Sequence, residues 1–204
     1  MIKHLLYKIN EVGMKNTFVG IIRREYYKKL QQIYNYDVWH VSPYELRKYA
    51  QDVVQYINSD PNITNEIIDL GCGLGEVIRN IKADNRYGFD LDESAIKVAK
   101  LLDKSCQVEY LIGSFDEIGV ERTIDYLITL GFMHGSNEEF WAPIYQRVCE
   151  RNDIKKIIVD VLPPKKDSYQ LDFYNIIPDN YKLVYEVGPY LGGRMLQCWE
   201  KNGI

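Results

Sequence analysis

The residues best equipped for chemistry fall in one short run, Asp69-Leu70-Gly71-Cys72-Gly73-Leu74-Gly75. Apolar Ile67, Ile68 and Leu70 surround Asp69, and Val77, Ile78 and Ile81 follow the glycines at helical spacing. The pattern predicts a buried strand that turns sharply into a helix, with the first helical N–H groups aimed above the turn. Glycines at alternate positions admit unusual φ/ψ and let a ligand approach the backbone. Asp69, at the strand's end, adds a carboxylate suited to a cationic amine. Downstream, His134 sits in a loop after another apolar run and is the leading candidate base, because imidazole titrates near neutrality. His40, beside Trp39, is the second candidate. Tyr190 and Arg194, near the last turn, suit an anionic substrate.

Asp-x-Gly-x-Gly-x-Gly after an apolar strand resembles motif I of the class I S-adenosylmethionine-dependent methyltransferases. The resemblance implies adenosylmethionine (SAM) as cofactor, adenosylhomocysteine (SAH) as product, and no metal. Within it, Asp69, Gly71, Cys72, Gly73 and Gly75 form the cofactor turn. Asp90, with Leu91 after it, stands where the family places an acidic residue for the ribose hydroxyls, a geometry common after glycine turns; Asp92 is better placed to start a helix. The family often has an acidic residue for the adenine amine after the third strand. Here Ser114 takes that position, so its hydroxyl, or Phe115, would meet the base. The loop from Leu130 would lie beside the methionine part of the cofactor. The aminomethyltransferase signature Asn/Asp-Pro-Pro-Tyr/Phe is absent there, which disfavours nucleobase amines. Asp160-Val161-Leu162-Pro163-Pro164 echoes it only superficially and after the wrong strand.

A second resemblance lies upstream. Tyr36-Asp37-Val38-Trp39-His40-Val41-Ser42-Pro43-Tyr44-Glu45 is similar to the N-terminal arm of the NodS-like small-molecule methyltransferases, which covers the cofactor. It implies that Trp39 and Tyr44 wall the cofactor and substrate pocket. The reaction implied is transfer of a methyl group to an oxygen or nitrogen of a small molecule. A sugar or phosphorylated metabolite of bacterial surface-glycan or secondary metabolism is suggested by family breadth alone. Two rival classes stand beside it. A nicotinamide oxidoreductase needs Gly-x-Gly-x-x-Gly, and Glu76 occupies the last glycine's place. A non-catalytic cofactor-binding protein is compatible with every motif.

The elements that must position these residues alternate. Strands are predicted at 66–70, 86–90, 107–112, 124–130 and 156–162, the last stopped by Pro163-Pro164, with helices between them. Ser42 with Glu45 and Ser136 with Glu139 read as capping boxes, and 169–177 as helical. The pair 181–187 and 194–200 has no helix between its members and is therefore antiparallel. The expected fold is α/β: a doubly wound, Rossmann-like, seven-stranded, mostly parallel sheet with an antiparallel last strand, plus N-terminal helices. Residues 1–60 are expected to form a helical arm or lid packed on the SAM-binding domain at 61–204. Within the arm, Phe18, Ile22, Tyr26, Leu30 and Ile33 recur at helical spacing, and are expected to face the domain, with Arg23, Arg24, Lys28 and Lys29 in a solvated basic face; the alternative is a lid or a partner-binding arm.

Composition sets the outer bounds. The 204 residues suffice for one domain with a sizeable core. A net charge of −4 argues against a nucleic-acid partner. Cys72, Cys106, Cys149 and Cys198 have neither metal-ligand nor disulfide-framework spacing, so free thiols in a reducing compartment are expected. The first thirteen residues lack a signal peptide's apolar region, and no run reaches membrane-span length. A cytoplasmic protein without a membrane partner is expected.

Overall fold

The computed structural model describes residues 2–163 and 169–203. Pro164, the second proline of the expected strand stop, lies outside them. The element order is α1 (Ile2–Val12), α2 (Met14–Tyr34), α3 (Lys48–Asn58), β1 (Glu66–Leu70), β2 (Arg86–Asp90), α4 (Glu93–Leu102), β3 (Val108–Ile112), β4 (Thr123–Thr129), α5 (Glu138–Arg151), β5 (Asp153–Val161), β6 (Tyr181–Val187) and β7 (Met195–Lys201). The seven strands form one sheet in the order β3-β2-β1-β4-β5-β7-β6. The first five in that order run parallel, and β7 is antiparallel to both β5 and β6. The doubly wound, mostly parallel sheet with an antiparallel last strand is the architecture that the alternating pattern predicts.

Side chains alternate across β1 and divide the core in two. Ile68 and Leu70 join Phe115, Trp141, Tyr145 and Val148 on the α5 side. Ile67 joins Ala50, Val53, Val54 and Ile57 of α3 and Ile96 and Ala99 of α4 on the other. A third, smaller cluster ties α2 to the sheet: Tyr27 and Tyr36 pack with Leu74, Ala95 and Val98.

Several local expectations are corrected. The helix predicted after the glycines is a single 3₁₀ turn, Ile78–Asn80. Only ten residues separate Gly75 from Arg86, too few for a full helix and a return to the sheet. The Ser42–Glu45 capping box does not form. The segment makes two 3₁₀ turns, Val38–Val41 and Tyr44–Leu46, and Glu45 instead pairs with Arg23 of α2. In α5 the cap is Asn137, whose side chain accepts the Phe140 N–H at 3.1 Å, rather than Ser136. Within 169–177 only Phe173–Asn175 is helical, again as 3₁₀.

The largest correction concerns α2. Phe18, Ile22, Tyr26 and Ile33 point outward, and Leu30 alone of the expected stripe is partly packed. The packed flank is Thr17, Gly20 and Tyr27. Gly20 explains the choice: a Cβ there would lie 2.6 Å from Cγ of Leu46, so only glycine lets the helix backbone come this close to the domain.

Candidate functional site

A cavity of about 710 Å³ opens above the carboxyl ends of β1, β2 and β4, where ligands bind in open α/β sheets. Its floor is the glycine turn. Gly71, Gly73 and Gly75 all have positive φ, a backbone state that other residues adopt only with strain. The Gly73 N–H donates to Oδ2 of Asp90 at 2.7 Å, and Oδ1 of Asp90 accepts the Asp92 N–H at 2.9 Å. Asp90 therefore shapes the turn as well as facing the cavity. Leu91, 75% exposed, lines one side with Gly113, Ser114 and Phe115. The Ser114 hydroxyl donates to Glu117 at 3.0 Å in a capping box, so the group expected to meet adenine is already engaged. Phe115 is held by tilted ring contacts with Phe132, Trp141 and Tyr145, which place its ring at the cavity wall.

The opposite wall is the arm. Asp37, Trp39, His40 and Ser42 line the cavity. Trp39 stands at the lip, 83% exposed, and is not a packing residue of the helix behind it. His40 lies over the turn; a Cβ at Gly73 would collide with its ring, and its Nε2 is 3.8 Å from Asp92. Two buried or half-buried carboxylates hold the arm down. Asp92 caps α4 through Ser94 and Ala95 N–H and accepts the Asp37 N–H at 2.9 Å. Glu76, almost fully buried, accepts the Tyr27 hydroxyl at 2.5 Å, the Arg79 guanidinium at 2.7 Å and the Tyr44 N–H. Burial and the Glu76 charge push the Tyr27 phenol well up, so it stays a donor. In the sequence Glu76 reads only as a missing glycine, because the arm partners that give it its role, Tyr44 and Tyr27, lie 32 and 49 residues away.

Arg47, Tyr49 and Arg194 complete the lining, and sequence reasoning singled out only Arg194. The Arg194 guanidinium lies 4.3 Å from the centre of the Tyr49 ring and pairs with Asp160. Burial would raise the Tyr49 phenol, but the charges of Arg47 and Arg194 more than reverse this and hold it below the usual value. Asp160 also accepts the Gly131 N–H at 2.8 Å, which fixes the loop after β4 where Leu130, Gly131 and Phe132 line the cavity.

Five expected site residues do not line the cavity, among them Gly75, which abuts the Tyr110 ring. His134 is buried behind that loop, its Nε2 3.5 Å from Asp160, and does not line the cavity. Tyr44 contributes its backbone to Glu76 and its ring to the α3 core. Tyr190 donates to Asp52 at 2.8 Å, away from the cavity. Asp69 is also beneath the lining, because its side chain faces the same side of the sheet as Ile67; there it lies near Arg47. Burial pushes its carboxyl up to about 7, against the pull of Arg47 and the Ile78 N–H, with Asp90 adding to the rise.

No family model matches the chain, and no curated protein matches it in sequence. Its structure is similar to magnesium protoporphyrin IX methyltransferase from Synechocystis PCC 6803 with bound SAH. That likeness has 14% identity and a TM-score of 0.66, over 91% of this chain and 99% of the other. A putative RNA methyltransferase from Pyrococcus horikoshii matches with 13% identity and a TM-score of 0.59, over 85% and 98%. A putative SAM-dependent methyltransferase from Listeria monocytogenes matches with 14% identity and a TM-score of 0.56, over 75% and 98%. The chain therefore has the fold shared by the class I SAM-dependent methyltransferases.

Proposed function

We propose that this chain is a SAM-dependent methyltransferase acting on an oxygen or nitrogen nucleophile of a small molecule. The observation that carries the reading is the positive-φ glycine turn, bonded to Asp90 at its centre and open to the cavity. The residues present fit the cofactor. Nε of Arg47 is buried with no hydrogen-bond partner among the described residues, and the buried Asp69 carboxyl lies near it. An amino-acid group bearing a carboxylate and an ammonium would satisfy both. Asp90 and Leu91 would take the ribose and one face of the base, with Gly113 to Phe115 on the other side.

When bound, the cofactor supplies an electrophilic methyl group on a sulfonium. The chain's task is to hold the nucleophile in line and exclude water. Phe132, Trp39 and the arm supply the enclosure. Tyr49, flanked by two guanidinium groups at the lining, is the group best placed to hold or accept a proton from the acceptor, a role that sequence reasoning gave to His134 and His40. A cavity of about 710 Å³ is of the size that takes a cofactor and a small acceptor, which favours a small molecule over a polymer. Calorimetric titration with SAM, SAH and NAD tests the cofactor. SAH binding without NAD binding is expected, and NAD binding alone overturns the reading. Labelled-methyl transfer from SAM to a metabolite panel then separates an enzyme from a non-catalytic SAM-binding protein.

A further inference from the structure

The outward face of α2 pairs two features that rarely coincide on a free surface. Met14, Phe18, Ile22 and Tyr26 follow each other four residues apart along one flank, with Ile33 two turns beyond. Ile22 is 73% and Ile33 71% exposed. Twenty-one residues make the helix about 31 Å long. Its charge is opposite to the chain's. The helix holds Lys15, Arg23, Arg24, Lys28 and Lys29 against the single acid Glu25, which pairs with Lys28, whereas the whole chain is at −4. Arg23 is engaged by Glu45 of the arm, which leaves Lys15, Arg24, Lys28 and Lys29 to meet a partner. The packed flank, Thr17, Gly20 and Tyr27, is turned the other way, so docking of the outer face leaves the site's latch undisturbed.

We propose that this face of α2 lies on an anionic lipid bilayer, its apolar side chains entering the acyl boundary and Lys15, Arg24, Lys28 and Lys29 meeting the headgroups. A helix with large apolar side chains and interleaved basic residues binds in the interface plane through both terms together. Nucleic acid would use the basic residues but leaves Met14, Ile22 and Ile33 without a role. A second copy of the chain would bring one net-positive helix against another. No helix among the described residues is long and apolar enough to cross a membrane, so the association is peripheral.

Flotation of the full chain with vesicles tests it. Vesicles of phosphatidylcholine mixed equally with phosphatidylglycerol should carry the protein, and phosphatidylcholine alone should do so at least about tenfold less well, with the difference shrinking as salt rises. Phe18→Ser with Ile22→Ser, and separately Lys28→Glu with Lys29→Glu, should each lower partitioning about tenfold or more. Both pairs are exposed, so melting temperature and SAH affinity should hold. Absence of wild-type flotation overturns the proposal, as does unchanged flotation of the Ser pair. So does a dimer that the Ser pair disperses, or transfer-RNA binding that the Glu pair abolishes, in a protein that ignores vesicles.

Discussion

A carboxyl enclosed like Asp69 keeps its proton further up the pH scale than one in water, because burial penalises the ionised form more than Arg47 favours it. Its folded-state pKa of about 7 lies above its ordinary 3.8. Between those values the folded chain holds a proton that the unfolded chain has released. The stability that this group contributes is therefore complete below its ordinary value and is lost as pH rises through about 7. Asp69→Asn should flatten that decline in melting temperature. An ammonium beside Asp69 would reverse the penalty, so SAH binding should release a proton at pH 6, and affinity should climb toward pH 7. Calorimetry in buffers of different ionisation enthalpy measures the release. A wild type that releases no proton, or an Asn variant that releases as much, removes Asp69 from the ligand's surroundings. Gly73 gives a second prediction at this scale. With φ at +53° and the His40 ring where a Cβ would stand, valine there should strain the turn and push the arm outward. Gly73→Val should stay folded by circular dichroism and lose SAH binding. Undiminished affinity in the folded variant would contradict the role given to the turn.

Among the elements, the arm is held by two carboxylates, Asp92 and Glu76, of which Glu76 is the more deeply buried. Glu76 receives the Tyr27 hydroxyl from α2 and the Tyr44 N–H from the segment before α3. A neutral amide at 76 has one oxygen in place of two and no charge. Glu76→Gln should therefore loosen the arm by about 1–3 kcal/mol, the range for a buried charged hydrogen-bond acceptor. Faster proteolytic cutting between residues 35 and 43, and weaker SAH binding, are the expected readouts; protection equal to wild type would show that Asp92 holds the arm alone. This latch also marks where the sequence stopped being readable. The glycine turn and the succession of strands along the chain were legible because apolar runs and glycines are local signals. Glu76, Arg47 and Tyr49 were not, because each acquires its role from partners distant in sequence or from a cavity formed by several elements. The orientation of α2 was missed for another reason. Its apolar residues occupy two flanks, and periodicity cannot say which flank packs; a close approach at Gly20 decided it. His134 was misplaced because a loop position was taken for exposure, whereas Asp160 and the β4 loop enclose it.

At the scale of the whole molecule, the two large cores draw on residues from α3 onward, together with the Tyr44 ring, and on nothing from α1 or α2. Helix α2 joins through the third cluster, where Tyr27 and Tyr36 cover Leu74, Ala95 and Val98, and through the Tyr36 hydroxyl bonded to the Tyr27 carbonyl at 2.6 Å, while α1 is held by Lys8, which donates to the Leu46 carbonyl at 2.8 Å, and by Glu11, which accepts the Leu191 N–H at 3.0 Å. A chain beginning at Asn35 should then keep its sheet. It should unfold cooperatively, at a melting temperature lower by several degrees for each kcal/mol of lost packing. SAH affinity should fall, because Leu74 sits inside the glycine turn and Glu76 loses one of its donors. Vesicle flotation should vanish, because every outward residue of α2 is gone. The three measurements separate the helices' roles. Sheet loss on truncation would make α2 part of the folding core. Full SAH affinity would detach it from the cofactor site, and retained flotation would move the lipid contact elsewhere on the molecule.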